Sequence, residues 1–151
     1  MDIAMADLNA EPEFDLEQFL PYLLNQAAEA TSSSFHIVYR DLYGMTRTQW
    51  RVMANLGKFG AMTAKDICVI SHIEKSKVSR AVATLESSGF LLRFPSEDDR
   101  RAEILNLTEK GQIAFHDLGR RANEFDRKLR LELGETTSAE LVRLLERLMK
   151  L

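Results

Sequence analysis

The spacing of apolar residues predicts that most of the chain is helical. From Phe14 onward, apolar positions recur at helical spacing, and this pattern predicts one long helix that ends near Tyr43. Gly44 follows directly, and glycine is the residue that most often terminates a helix. A second long helix is predicted from Thr108 to Gly134, on a stripe formed by Leu118, Ala122, Phe125 and Leu129.

Three shorter helices are predicted between the two long ones. Thr46 and Gln49 have the spacing of a capping box, in which the side chain of each residue accepts a hydrogen bond from the backbone amide of the other. Thr63 and Asp66 have the same spacing. These pairs begin the first and second short helices. The third is predicted over residues 74–89, where a glycine ends it.

The periodicity of the sequence changes after residue 90. The runs LLRF and AEILNL are short and rich in β-forming residues, and the segment PSEDDRR between them is polar. This arrangement predicts a β-hairpin with a long tip. A last helix is predicted near the C-terminus, capped by Thr137 and Glu140 and striped by Leu141, Leu144, Leu145 and Leu148.

Together these elements predict a mostly α fold with a small β-hairpin wing. Residues 46–107 form a winged helix-turn-helix region, and the flanking segments 14–44 and 109–151 are too apolar to be covered by so small a centre. We therefore expect residues 14–151 to be a single domain whose two ends form a homodimer interface. The alternative is that these flanking helices pack within one chain. Residues 1–13 are acidic and lack an apolar period, which predicts a disordered tail.

The outward face of the third short helix indicates DNA binding. Its apolar side chains share one face, and the other side of the helix carries small and basic residues: Lys75, Ser76, Lys77, Ser79 and Arg80. Small residues let a helix enter the major groove, and an arginine fork matches guanine O6 and N7. The alternative is an ordinary solvated helix, but the capped helix before it and the hairpin after it favour a DNA-reading role.

The hairpin tip is a second indication of DNA binding. Asp99 and Arg101 are two residues apart, so on an extended segment the carboxylate could hold the guanidinium ready to enter a minor groove. Arg100 lies between them and is included among the predicted DNA contacts. Glu97 and Asp98 repel phosphates, so we expect this contact to be narrow.

Composition and charge limit the alternatives. The net charge of the 151 residues is −3, and residues 1–60 carry the acidic excess, so any basic surface is local. The sequence has no secretory signal and no apolar run of membrane-spanning length, and we expect a cytoplasmic protein. It has no nucleophile elbow, phosphate loop or metal-spaced cluster, so we expect no enzyme activity, no cofactor and no metal site.

The sequence resembles the MarR (multiple antibiotic resistance regulator) family. The resemblance covers about residues 14–151 and is carried by MTRTQWRVMANL, KSKVSRAVATLESSGFL and PSEDDRRAEILNLTEKG. It implies a homodimeric winged-helix transcription regulator, most often a repressor, that binds double-stranded DNA at a pseudo-palindromic site. It also implies that Asp99 and Arg101 are the wing pair. The family often has a basic residue where this chain has Asp98.

The same resemblance implies release of the DNA by a small, often aromatic, ligand. Such ligands lie in a crevice between the dimer helices and the DNA-reading core, where this chain has Phe35, His36, Tyr39, Arg40, Trp50 and Arg51. An arginine suits a carboxylate, and two aromatic side chains can sandwich a ring. The alternative is that these aromatic residues belong to the core and that the arginines pair with nearby acids.

Two other functions stay open. Cys68 lies four residues before His72, a spacing that could place thiol and imidazole on one helix face and make the protein a redox-responsive regulator. The alternative is that Cys68 is a small core residue that packs beside Ile67. The chain could also be a winged-helix module that contacts only proteins. Modules of that kind usually lack the arginine on the helix and the Asp-x-Arg wing, whereas this sequence has Arg80 and Arg101.

Overall fold

The computed structural model describes residues 11–151. Residues 1–10, most of the predicted disordered tail, lie outside the described residues, whereas residues 11–15 are exposed and belong to no helix or strand. The chain divides into two compact units, of which the second is Phe35–Leu151, and the described part of the first is residues 11–34.

The first unit contains a short 3₁₀ helix, Leu16–Gln18, and the first half of helix α1, Leu20–Tyr43. The prediction of one continuous helix from Phe14 is therefore wrong at its start. Pro21 explains the difference, because a proline inside a helix lacks the required N–H and its ring clashes with the preceding turn. Backbone N–H groups in the first turn of a helix have no partner within the helix, so Pro21 is tolerated in the first turn of α1.

The second unit is mostly helical with a small antiparallel sheet, and this fold class confirms the prediction. After the end of α1 its elements are α2 (Arg47–Phe59), β1 (Met62–Thr63), α3 (Ala64–Ser71), α4 (Lys75–Ser87), β2 (Leu91–Pro95), β3 (Glu103–Leu107), α5 (Glu109–Leu133) and α6 (Glu135–Leu148). No helix within residues 11–151 combines the length and apolar character needed to cross a membrane.

The sheet has the order β1-β3-β2, so the predicted hairpin gains a third strand. β1 pairs Met62 with Leu105 and Thr63 with Ile104. The sequence pattern could not reveal a strand of two residues, since alternation needs at least four to be recognised. In the hairpin Leu91 pairs with Leu107 and Pro95 with Glu103, which leaves residues 96–102 as the wing tip.

Most helix ends lie where the sequence predicts them. Both capping boxes are formed, with the amide of Gln49 3.2 Å from Thr46 Oγ1 and that of Asp66 3.1 Å from Thr63 Oγ1. The predicted cap at Thr137 is wrong: α6 begins at Glu135 and its N-cap is Gly134. Gly134, with φ +88°, is both the C-cap of α5 and the N-cap of α6, so no separate capping segment lies between the two helices.

One hydrophobic core holds the second unit together. Its most deeply buried side chains come from α1, α2, α3, α4, the sheet and α5, and they include Tyr39, Met53, Leu56, Ile67, Val78, Leu85, Leu91, Leu105 and Leu118. Burying a side chain of this size contributes about 1.5–3 kcal/mol to the free energy of folding. The core therefore fixes where the sheet and α4 lie within this unit.

The segments that precede β2 and α5 are closely packed against each other. Thr108 Oγ1 accepts a hydrogen bond from the amide of Gly111 (3.0 Å) and donates one to the carbonyl of Gly89 (2.6 Å). The amide of Thr108 also donates to the carbonyl of Phe90 (3.0 Å). A methyl group at position 111 would overlap that Phe90 oxygen, so only glycine fits there.

We expect Gly111→Ala to lower the free energy of unfolding by about 1–3 kcal/mol, the usual cost of overpacking. Gly119→Ala is the matched control, because Gly119 is also in α5 and an added methyl group there meets no atom within 4 Å. The control should be neutral or stabilising by about 0.5–1 kcal/mol. Urea denaturation followed by circular dichroism measures both, and equal stability of the two variants would contradict this packing.

Candidate nucleic-acid interface

Helix α4 has one buried face and one exposed face. The buried face consists of Val78, Ala81, Val82 and Leu85, none more than 4% exposed. All five predicted DNA-contacting residues of this helix, Lys75, Ser76, Lys77, Ser79 and Arg80, are exposed. No carboxylate lies between Glu74 and Glu86, so the exposed surface is small, polar and positively charged.

The beginning of α4 is suited to binding an anion. Its N-cap, Glu74, makes no side-chain hydrogen bond to the first turn, so the amides there are not occupied by a capping side chain. These amides form the positive end of the helix dipole. Lys75 and Lys77 flank them, and together these groups can hold phosphate oxygens.

Two side chains of α2 fix the end of α3 and the turn into α4. Arg51 Nη2 donates to the carbonyl of Ser71 at 2.6 Å, and Asn55 Nδ2 donates to Ser71 Oγ at 2.8 Å. His72 then adopts the left-handed conformation with φ +53° and donates its amide to the carbonyl of Cys68. The side chain of Arg51, predicted to bind a ligand, is thus placed to hold the helix-turn-helix angle.

The wing tip corrects one expectation. Asp99 Oδ1 accepts a hydrogen bond from the backbone amide of Arg101 at 2.9 Å, and in residues 11–151 the structure shows no ion pair between these two side chains. The tip is a turn rather than an extended segment, because an aspartate readily binds the amide two residues ahead. The carboxylate therefore shapes the backbone that carries Arg100 and Arg101, and both arginines are exposed.

The predicted ligand-binding aromatic residues contact one another. The ring centroid of Phe35 lies 5.6 Å from that of Tyr39 and 5.9 Å from that of Trp50, and Tyr39 stacks on Trp50 at 6.0 Å. His36 lies 5.1 Å from Tyr39. Phe35 and Tyr39 are buried, and burial raises the pKa of the Tyr39 phenol above its ordinary value. Arg40 is exposed and pairs with its neighbour Asp41 at 2.9 Å.

A hydrogen-bonded group beside this cluster joins α1 to α5. Tyr43 Oη donates to Asp117 Oδ2 at 2.7 Å, and Asp117 Oδ1 accepts from Arg120 (2.8 Å) and Arg121 (3.2 Å). The hydrogen bond from Tyr43, followed by the charge of Arg121, lowers the pKa of Asp117 below its ordinary value. Burial and the same hydrogen bond raise the pKa of Tyr43.

A cavity of about 350 Å³ adjoins Tyr43, and a larger one of about 590 Å³ lies along α5. The larger cavity is lined by Val38, Arg120, Arg121, Glu124, Phe125 and Lys128. It has an apolar side, where Phe125 lies 5.4 Å from Phe35, and a basic rim. We call it the α5 groove.

The basic residues of the α5 groove are not among the site residues predicted from the sequence. Arg121 and Lys128 are seven residues apart, which places them on one face of a helix and is a signal that the sequence does contain. Arg93 of β2, which contacts both Glu86 and Glu103, is not among those predicted residues either. The sequence has no local signal for that contact, since its partners lie seven and ten residues away.

Cys68 is free and half-buried. Its backbone carbonyl accepts hydrogen bonds from the amides of His72 and Ile73, which closes the end of α3. Within residues 11–151 no three His, Cys, Asp or Glu side chains are grouped so that they could hold a metal ion. A sensing role for Cys68 stays a prediction.

The chain is similar to a protein family and to a characterised repressor. A model of the MarR family matches residues 43–102. The homoprotocatechuate degradative operon repressor of Escherichia coli is 25% identical over 127 residues, which cover 84% of this chain and 85% of that protein.

Solved structures match over most of their length. The transcriptional regulator PA4135 is 31% identical with a TM-score of 0.80, and the match covers 88% of this chain and 97% of that one. The MarR family regulator SPO1453 from Silicibacter pomeroyi is 27% identical with a TM-score of 0.79, covering 91% and 98%. Both of these proteins are transcriptional regulators.

We expect the stabilising effect of Asp117 to depend on pH. A carboxylate whose pKa is lowered in the folded state stabilises the protein above its ordinary value of 3.8, and this contribution is lost as the pH falls through the lower, folded value. The unfolding temperatures of the wild type and of Asp117→Asn should therefore differ most at neutral pH, and the gap should narrow steadily as the pH falls below about 5. A gap that keeps the same size from neutral pH down to the lowest pH at which the wild type is folded would contradict the assigned interaction.

Proposed function

Because the chain belongs to the MarR family of winged-helix transcription regulators, we propose that it is a homodimeric repressor that binds a pseudo-palindromic DNA site and is released by a small aromatic acid. The exposed face of α4 is the observation that carries this proposal. It combines small side chains, an arginine and two lysines on one helix with no intervening carboxylate. That combination fits a major groove and its phosphates.

The wing supplies the second contact in this proposal. Arg100 and Arg101 are held at an exposed turn by the Asp99 side chain, and they would enter the minor groove beside the site that α4 reads. Glu97 and Asp98 lie on the same turn, so the wing contact is confined to the two arginines.

Dimerisation is supported by unburied apolar side chains at both ends of the chain. In α6 the predicted stripe of Leu141, Leu144, Leu145 and Leu148 is 37–43% exposed, and Met149 is 78% exposed. In the first unit, Phe14, Phe19, Leu20 and Leu23 are between 40% and 68% exposed. Sets of large exposed apolar residues mark interfaces, and a second copy of the chain is the occupant we propose for them.

In a dimer, the negative net charge of the chain is compatible with DNA binding. Two copies of α4 about 34 Å apart meet successive major grooves on one side of the duplex. Only that surface has to be positive, and the acidic excess of residues 1–60 can lie elsewhere.

The DNA-binding proposal is tested with Arg80→Ala. On a duplex that the wild-type protein selects from a random library, the loss of a bidentate guanine contact should weaken binding by about 5- to 150-fold. Arg130→Ala is the control, because Arg130 is an exposed arginine that pairs with Asp126 on α5 and has no role in the proposed contact. Fluorescence anisotropy at fixed salt measures both affinities.

Sedimentation velocity of the same proteins should give twice the 17.2 kDa of one chain for the wild type and for both variants. If six to ten phosphates are contacted, wild-type affinity should fall by about 10³–10⁵ between 50 and 200 mM salt. Equal affinities of the Arg80→Ala and Arg130→Ala variants would contradict the role of α4, and a monomer bound to DNA would contradict the dimer.

We place the effector in the α5 groove. Phe125 and Val38 offer an apolar surface for a ring, and Arg121 and Lys128 offer positive charge for a carboxylate. Glu124 already pairs with Arg127 and Lys128, so a carboxylate would compete with it for Lys128. The E. coli relative takes its name from an operon that degrades an aromatic acid, which supports this ligand class.

Homoprotocatechuate and related aromatic acids are the probes for this site. We expect such an acid to release the wild-type protein from DNA, and Lys128→Ala to require about tenfold more of it, since a charge-assisted hydrogen bond contributes about 1.5–3 kcal/mol. Lys150→Ala is the control, because Lys150 follows α6 and lies outside the groove. A wild-type protein that no aromatic acid releases, or equal responses of the two variants, would contradict this site.

A further inference from the structure

Arg93 joins three elements of the winged helix. It lies on β2, opposite Leu105 of β3, on the sheet face that also carries the buried Leu91. Its Nε donates to Glu86 near the end of α4 at 3.2 Å, and its Nη1 donates to Glu103 on β3 at 3.3 Å. One guanidinium group therefore ties the helix proposed to read DNA to both strands of the wing.

The contact of Arg93 lies in the part of β2 that has no buried apolar side chains. Leu91 is fully buried, but every later residue of β2 is exposed, including Leu92 and Phe94. The apolar packing of this strand thus ends before the wing tip begins. Between Leu91 and the tip, the bridge from Arg93 to Glu86 is the ion pair that links β2 to α4 within residues 11–151.

The geometry is better suited to setting an angle than to adding stability. The three side chains are 34–57% exposed, and ion pairs of this exposure contribute little to the free energy of unfolding. A planar guanidinium with two separate acceptors, in contrast, restricts the direction of each partner. The pair also neutralises Glu86, the carboxylate that follows the basic face of α4.

We propose that Arg93 is a positioning residue for DNA binding: by holding Glu86 and Glu103 together, it sets the angle between α4 and the wing. With this angle fixed, Arg100 and Arg101 reach the minor groove while α4 lies in the adjacent major groove. The inference rests on the proposed DNA-binding function and adds to it a residue that touches no DNA itself.

The inference is tested by measuring how much Arg101 contributes to binding when the bridge is intact and when it is broken. Glu86→Ala breaks the bridge and makes the protein more positive by one charge. Affinities are measured for the wild type, Arg101→Ala, Glu86→Ala and the double variant, on the duplex that the wild-type protein selects from a random library. The same set is measured with Arg80→Ala in place of Arg101→Ala.

We expect Arg101→Ala to weaken binding by about tenfold in the wild type and by less than about threefold in the Glu86→Ala background, given the usual size of a single specific contact. The cost of Arg80→Ala should be the same in both backgrounds, because α4 keeps its own packing. Arg93→Lys, which retains the charge but loses the fork, should reproduce the result of Glu86→Ala and guards against a folding defect in that variant.

Asp126→Ala is the matched control. Like Glu86→Ala, it removes the acidic partner of an arginine, but this arginine is Arg130 on the surface of α5. It should leave the loss of DNA affinity caused by Arg101→Ala unchanged.

Two results would overturn the inference while leaving the proposed function intact. In the first, Arg101→Ala costs as much in the Glu86→Ala background as in the wild type. In the second, Glu86→Ala simply tightens binding while the Arg101 contribution persists, so that the pair does no more than mask a charge. A wild-type protein that binds no duplex would instead contradict the proposed function itself.

Discussion

Burial of one face of α4 is the constraint on which the rest of this molecule depends. Val78, Ala81, Val82 and Leu85 are almost completely buried in the core of the second unit. Because side-chain directions around a helix are fixed by its geometry, burying this face forces Ser76, Ser79 and Arg80 outward. The same apolar contacts that stabilise the fold therefore create the surface to which we assign DNA binding.

Polar contacts at the margin of the core set the angles that burial alone leaves free. Arg51 and Asn55 hold the end of α3 before the turn into α4, and Arg93 connects α4 with the wing. Tyr43 and Asp117 join the end of α1 to α5 beside the proposed effector groove. Under the proposed function, a ligand that binds in the α5 groove would act on DNA binding by favouring one arrangement of these elements over another.

The sequence predicts those parts of the fold that depend on local chemistry. The capping boxes at Thr46 and Thr63 and the glycine at position 44 are recognisable because their partners lie within a few residues. The predicted start of α1 is wrong because Pro21 is tolerated only in the first turn of a helix, whatever the apolar spacing before it. The predicted cap of α6 is wrong because Gly134 begins the helix before the Thr137–Glu140 pair is reached. The ion pairs of Arg93 could not be predicted from the sequence, because they form only when the strands and α4 have packed together.

The central claim, that the exposed face of α4 reads a major groove, is tested most directly by dimethyl sulfate footprinting of guanine N7 on a selected duplex. We expect two clusters of protected guanines about 10 bp apart, one for each half-site of a dimer. We also expect Arg80→Ala to restore the reactivity of a guanine in each cluster while the rest of the footprint remains. Binding without any protection of N7, or protection that Arg80→Ala leaves unchanged, would contradict it.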